Sequence, residues 1–252
     1  MKSANTIAEQ VSEGCGFYLG LKLQEAELQQ VLDCVREQWL EKIKEQAPAH
    51  WQQFSERGIE RYHELAHLLN HGATWPKAAR ILPQKTAGMI RKTSLMRNLE
   101  RVYGHFEISD EDNVGREEIY WRLVRPNQSS DVGPLHADAW FWDLGHGQTP
   151  ANTKRVKVWI ALCCEPGLNG LRIVPESHKK QWKYHGEYRD GFSKPQIDEK
   201  EEDLNVQLVH TVPGDAIVFH DRLLHGGAVN KGSNTRVSME FTMFVKECGV
   251  VA

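Results

Sequence analysis

Cysteine is scarce in this chain of 252 residues. There are five, an odd number without framework spacing, at Cys15, Cys34, Cys163, Cys164 and Cys248. That argues against a disulfide-stapled fold and against zinc held by cysteine, and the thiols are expected to be reduced in a cytoplasmic protein. Long apolar runs are missing too: nowhere do about eighteen apolar residues follow one another, and the polar start Met1-Lys2-Ser3-Ala4-Asn5 leads into no signal core. Neither secretion nor a membrane span is expected. Charge of one sign is not in excess, with 31 Lys and Arg against 34 Asp and Glu. The basic footprint of a nucleic-acid binder is therefore lacking, and nucleic acid is not an expected partner. No phosphate-cradling glycine loop, no G-x-S-x-G elbow and no paired catalytic carboxylates occur, which removes support for the commoner kinase and hydrolase readings.

What is present divides in two. Between Glu25 and Gln46, Leu28, Leu32, Val35, Trp39 and Ile43 recur at helical spacing, which predicts an amphipathic helix. A second helix is expected from Trp51 to about His71, then a break at Gly72 to Pro76, then helical stretches to about Val102. After Glu117 the texture turns to short β-rich runs: Ile119–Val124, Leu135–Ala139, Val156–Leu162, Arg172–Val174, Val206–Val212, Ala216–Phe219 and Val237–Val245. Such spacing predicts a sandwich or barrel. In the third run Val156, Val158, Ile160 and Leu162 share one face, and Lys157, Trp159 and Ala161 share the other, which is expected to look into a cavity. Gln181 to Asp203 is polar and aperiodic, long enough for a lid. At 40% hydrophobic content the chain can bury a substantial core, and a single domain over residues 1–252 is expected. Residues 1–105 would form a helical layer packed outside a β core at 117–246.

The chemistry concentrates in the second half. His136 and Asp138 stand one residue apart, which on an extended strand puts both side chains on one face. His225, in His225-Gly226-Gly227, could close a three-ligand set. Two histidines and a carboxylate with open positions form the facial triad of non-heme Fe(II) oxygenases. Iron then has three sites left, two for a bidentate 2-oxo acid and one for dioxygen. Arg236 offers a planar, permanently charged grip for the far carboxylate of 2-oxoglutarate, and Ser238 lies two residues on along the same face. The bland alternatives are a buried hydrogen-bonded trio for His136, Asp138 and His225, and an ordinary ion pair for Arg236. His63-Glu64-Leu65-Ala66-His67 matches the zinc-peptidase pattern H-E-x-x-H, but the extended pattern fails at Asn70 and Ala73.

Several segments in order carry a family resemblance: His136-Ala137-Asp138, Lys157 to Leu162, Asn169-Gly170-Leu171-Arg172-Ile173-Val174-Pro175-Glu176-Ser177-His178, and Pro213-Gly214-Asp215 running to His225 and Arg236. From about Tyr120 to Phe244 the chain resembles the phytanoyl-CoA dioxygenase-like family of Fe(II)/2-oxoglutarate oxygenases. One departure is Glu176, where such proteins usually carry glycine. The resemblance implies a double-stranded β-helix, the cupin-like jelly-roll barrel, flanked here by N-terminal helices. It also implies Fe(II), 2-oxoglutarate and dioxygen as the cofactor system, and Trp159 as a wall of the 2-oxoglutarate pocket, although a strand tryptophan is more often core. The expected activity is hydroxylation of an unactivated C–H bond in a small metabolite or sugar-like compound. Related halogenases lack the metal-binding carboxylate that Asp138 supplies. The alternatives are a cupin-like metal- or sugar-binding module without turnover and, more remotely, a zinc peptidase on His63 and His67. The sequence leaves open whether Arg122, Trp140, Trp142 or the 181–203 segment touches substrate or 2-oxoglutarate.

Overall fold

The computed structural model describes residues 4–189 and 192–247, so Cys248 lies outside it. After α1 (Ala4–Ser12) and β1 (Phe17–Lys22) comes α2 (Glu25–Gln46), with the bounds its periodicity predicts. A capping box between Gln24 and Glu27 starts it, and Val31, Leu32, Val35, Trp39 and Ile43 form its buried stripe. The helix expected over Trp51–His71 is instead broken into α3 (Trp51–Arg57), α4 (Tyr62–Leu65) and α5 (His71–Thr74), with 3-10 turns between them. Gly58 at φ +78 ends α3 in a conformation that a side chain strains. Then follow α6 (Gln84–Ile90) and α7 (Ser94–Tyr103), the latter capped by the Thr93 side chain accepting from Met96 N. No helix among the described residues is long and apolar enough to cross a membrane.

The strands then build two facing sheets. They are β2 (Phe106–Ile108), β3 (Tyr120–Val124), β4 (Thr153–Cys163), β5 (Leu171–Ile173), β6 (Tyr184–Arg189), β7 (Phe192–Ile197), β8 (Gln207–Leu208), β9 (Asp215–His220), β10 (His225–Gly227) and β11 (Arg236–Lys246), with a short helix α8 (Asp138–Asp143) between β3 and β4. The large sheet runs β1-β9-β4-β11-β2, with β3 pairing the other end of β11; the small one runs β10-β5-β8. This antiparallel pair of sheets is the jelly roll the sequence led us to expect. Along β11, Val237, Met239, Phe241, Met243 and Val245 face the helices, joined by Val156, Val158, Ile160 and Leu162 of β4 in one core cluster. The opposite face of β4 looks inward as expected. There Trp159 and Ala161 meet Ile217 and Phe219 of β9 and Leu171 and Ile173 of β5 in a second cluster between the sheets.

Four more expectations need correction. The N-terminal hundred residues are not all helical, since β1 forms the edge of the large sheet against β9. The strand expected at Leu135–Ala139 reduces to a single bridge between His136 and His225, after which α8 begins. The Val206–Val212 strand shrinks to Gln207–Leu208. The aperiodic 181–203 segment contains the β6–β7 hairpin, which stands apart from both large and small sheets. Glu176, at the position where the resemblance leads one to expect glycine, adopts φ +63, a left-handed conformation costing about 1–2 kcal/mol. Its amide is tied to Cys15 O at 2.8 Å. The four cysteines among the described residues are free thiols.

Candidate metal and co-substrate site

The site begins with a backbone exchange. His136 N donates to His225 O at 3.0 Å and His225 N donates to His136 O at 2.9 Å, so two residues far apart in sequence face each other across a bridge. Their ring centroids are 4.5 Å apart. Ala137 is extended, at φ -110 and ψ 136, and Asp138 opens α8. One extended residue is enough to return Asp138 to the side of His136, so the expected convergence holds although the expected strand does not. Asp138 Oδ1 is 3.8 Å from His136 Nε2, and Oδ2 is 3.6 Å from His225 Nε2. These gaps are too wide for hydrogen bonds and suit donors sharing one cation about 2 Å from each.

Each imidazole is set for that task. His136 Nδ1 lies 2.9 Å from Pro134 O, and His225 Nδ1 lies 2.9 Å from Leu223 O. A carbonyl can only accept, so Nδ1 carries the proton and each Nε2 turns a lone pair toward Asp138. Burial, then the neighbouring His225, pushes the His136 pKa down to about 4 against the pull of Asp138, which keeps the ring neutral. Asp138 Oδ2 is buried without a hydrogen-bond donor. Among the described residues, His136, Asp138 and His225 are the one group of three whose ligand atoms gather closely enough to hold an ion, all within 4.8 Å. The donor set, the tautomers and the orphaned oxygen fit a divalent metal. Phe219 packs on His225 and Phe141 stands edge-on to His136.

Arg236 is buried to 2% exposure at the start of β11. Its Nη1 donates to Gly170 O, its Nε has no partner, and no carboxylate among the described residues pairs with it. Ser238 Oγ, on the same strand face, is likewise buried without a partner. The two glycines after His225 allow this packing, a signal the sequence carried unread. A Cβ on Gly227 would stand 3.2 Å from Arg236 Nη2, and one on Gly226 would stand 3.3 Å from Pro134 O. Trp159 is inside, and Arg236 Cζ lies 5.9 Å from its ring centroid. Arg122 sits opposite Ser238 on β3 and pairs through Nε with Glu240. Its side chain is 44% accessible. The aromatic run splits up. Trp140 stacks on Tyr184 of the hairpin, Trp142 packs on Phe244 and Arg155, and Phe141 meets His136.

The H-E-x-x-H stretch does not build a second centre. α4 ends at Leu65, so His63 and His67 are not on one continuous helix, and His63 Nδ1 is engaged with Thr235 Oγ1 at 3.0 Å. Glu64 is paired with Arg57 and Arg61. His63, His67 and His71 line an outer cavity of about 590 Å³ with Arg125, away from the His136 site. His71 is committed to Tyr62 OH at 3.0 Å.

The model of the phytanoyl-CoA dioxygenase family matches residues 28–238. The chain belongs to this family. That makes it an iron(II)- and 2-oxoglutarate-dependent oxygenase. Comparison with curated proteins finds no match. Among solved structures, EvdO2 from Micromonospora carbonacea var. aurantiaca aligns at TM-score 0.58 and 13% identity, over 98% of this chain and 93% of that one. The non-heme monooxygenase ThoJ, without ligand, aligns at 0.57 and 16%, over 96% and 77%. The epimerase SnoN, in complex with Fe3+, alpha ketoglutarate and nogalamycin RO, aligns at 0.52 and 16%, over 98% and 87%. At these identities the likeness is one of fold.

Proposed function

We propose that this oxygenase hydroxylates an unactivated C–H bond of a small, polar metabolite or sugar-like compound, acting as a single cytoplasmic domain. His136, Asp138 and His225 would hold Fe(II). Arg236 and Ser238 would take the distal carboxylate of 2-oxoglutarate beside the wall formed by Trp159, with Arg122 reaching the same cavity from β3. One observation carries the reading: a fully buried guanidinium with no carboxylate partner, next to an orphaned serine hydroxyl. A buried unpaired charge costs several kcal/mol, so a fold keeps one where an anionic ligand supplies the missing partner.

The bound metal and co-substrate supply the oxidising chemistry that dioxygen needs to attack a C–H bond. The chain's own residues do the rest. Pro134 O and Leu223 O fix the imidazoles, Trp159 and Phe219 keep that end of the cavity dry, and Phe141 limits approach to His136. The polar stripe Ser238, Glu240 and Thr242 on β11, with Arg122 and Lys157 opposite, favours a substrate rich in hydrogen-bonding groups over a lipid chain.

The test is absorbance of the protein with Fe(II) and 2-oxoglutarate without oxygen, followed by turnover under labelled dioxygen with a substrate panel. The reading expects a charge-transfer band that His225→Ala and Asp138→Ala abolish, then succinate and one labelled oxygen atom in the product. No band in the intact protein would refute the site. Succinate with an unlabelled, stereochemically inverted product would replace hydroxylation by epimerisation, and binding without succinate would point to a non-catalytic module.

A further inference from the structure

Lys157 is buried to 2% exposure at the centre of the molecule, whereas a lysine ordinarily carries its ammonium out to water. It sits on β4, opposite Thr242 of β11 and Phe219 of β9, and its side chain points into the space between the sheets. There Nζ is surrounded at nearly equal range: Tyr120 OH and Thr242 Oγ1 at 3.5 Å, Asp138 Oδ2 at 3.7 Å, Glu240 Oε2 at 3.8 Å and Glu111 Oε1 at 3.9 Å. The ammonium has not collapsed onto one partner; it stands as the shared cation of three carboxylates, from α8, β11 and the turn after β2. Among the described residues it is the only lysine or arginine in ion-pair range of Asp138.

The cage itself is braced. Thr242 Oγ1 donates to Glu111 Oε1 at 2.8 Å, and Lys77 holds Glu111 from the other side at 3.0 Å. Glu240, on the same strand as Arg236, binds Arg122 with its other oxygen. A continuous chain of charges therefore runs from Asp138 through Lys157 and Glu240 to Arg122. Asp138, by contrast, is held weakly by its own backbone, as the first residue of a six-residue helix that has no side-chain cap.

We propose that Lys157 is a positioning residue that sets the Asp138 carboxylate toward the two imidazoles before the ion arrives, and that through Glu240 it ties this placement to that of Arg122. This rests on the reading of His136, Asp138 and His225 as the metal ligands. Neutral replacement frees Asp138 to turn away and leaves three carboxylates without their shared counter-charge. Outer-shell partners of this kind typically change metal affinity about 10–100-fold.

The experiment is titration of the metal-free protein with Co(II), read by calorimetry and by the visible spectrum of the bound ion. Lys157→Met is expected to lose about 10–100-fold in Co(II) affinity and to shift the spectrum, and Lys157→Arg, which retains the charge, to restore most of both. Unchanged affinity with an unchanged spectrum would overturn the proposal. So would tighter binding in Lys157→Met, because the lysine would then merely oppose the incoming charge. If Lys157→Met does not fold, crystal structures of the wild-type protein with and without Co(II) decide. Asp138 should keep its orientation in ion-pair range of Lys157 in both, and a carboxylate displaced by much more than about 0.5 Å on loading would refute preorganisation. A wild-type protein that takes up no Co(II) would instead sink the metal-site reading itself.

Discussion

Arg236→Met separates the roles at this site because its two effects have opposite signs. Without co-substrate, the guanidinium is a buried charge that donates to one carbonyl, Gly170 O, and burial followed by the charge of Arg122 pushes its pKa down to about 10. Removing it costs that one hydrogen bond, about 1 kcal/mol, though Gly170 O keeps Ala228 N as a donor at 3.0 Å, while relieving an uncompensated charge worth several kcal/mol. Methionine fills most of the volume. The metal-free variant should melt at or a few degrees above the wild-type temperature, at about 2–4 °C per kcal/mol for a chain of this size. With 2-oxoglutarate present the sign reverses. A carboxylate held by a fork of two charge-assisted hydrogen bonds gains about 1.5–3 kcal/mol from each, so the loss is roughly 3–6 kcal/mol, or about two to four decades in Kd. Arg236→Lys keeps the charge without the fork and should fall between. The assay is calorimetric titration of 2-oxoglutarate into Co(II)-loaded protein without oxygen, alongside Co(II) titration and thermal melts. Equal loss of Co(II) and 2-oxoglutarate binding, or a variant markedly less stable than wild type before any ligand is added, would refute the assignment.

Two further outcomes follow from the interior charges and from the hairpin. Burial alone would raise the pKa of Glu111, but Lys157 and Lys77 outweigh it and hold the group at about 2 against an ordinary 4.5. As pH falls below about 4.5 the unfolded chain takes up this proton first, so stability is complete above that pH and is lost progressively toward pH 2. Urea unfolding between pH 6 and 3 should show this slope, worth up to about 3 kcal/mol for this group. Glu111→Gln should flatten it, and an unaltered slope in that variant would remove Glu111 from the account. The β6–β7 hairpin is held on α8 by Trp140 stacked on Tyr184, with centroids 4.5 Å apart and planes 8° apart, and by Tyr184 OH donating to Asp143 at 3.1 Å. Tyr184→Ala removes an aromatic pair worth about 0.5–1.5 kcal/mol beyond its area and should speed hydrogen exchange in β6 and β7 while β4 and β11 keep their protection. Unchanged exchange in the hairpin would show that it is held by other contacts.

The parts legible in the sequence are those in which one strand lies between helices and interior over most of its length. From Val156 to Leu162 of β4 and along β11 the pattern alternates, apolar residues toward the helices and Lys157, Trp159, Arg236, Ser238 and Glu240 inward, because a period of two admits no other assignment once one face is buried. It breaks at Leu162 and Cys163, where the pairing with β11 slips. α2 was legible for the same reason at the helical period. The β6–β7 hairpin was not, because Tyr184 and Ile197 alone bring it onto a small buried cluster, and Tyr184-His185-Gly186-Glu187 carries no apolar alternation to read. β1 was hidden by Gly20, which interrupts its pattern where the pairing with β9 slips in register. The α4 region misled in the opposite direction: residues with good helical spacing were cut by Gly58, and the H-E-x-x-H match lost the continuous helix its chemistry requires.

The metal motif shows how a correct convergence can arise from an incorrect local structure. His-x-Asp was read as two residues of a strand, yet only Ala137 is extended, and the helix that starts at Asp138 has no capping side chain to announce it. What holds His136 in place is the pair of backbone hydrogen bonds to His225, a long-range pairing that no window around His136 contains. The same limit hid Lys157's role. Its inward direction followed from alternation, but Asp138, Glu111, Glu240 and Tyr120 come from four stretches of chain, and only the pairing of strands in the large sheet and the docking of α8 bring them around one ammonium. Spacing in the sequence thus specifies which side chains can share a face. Whether a shared face becomes a site depends on the charges that other strands bring to it, and here those charges leave Arg236 without a carboxylate while giving Asp138 a lysine.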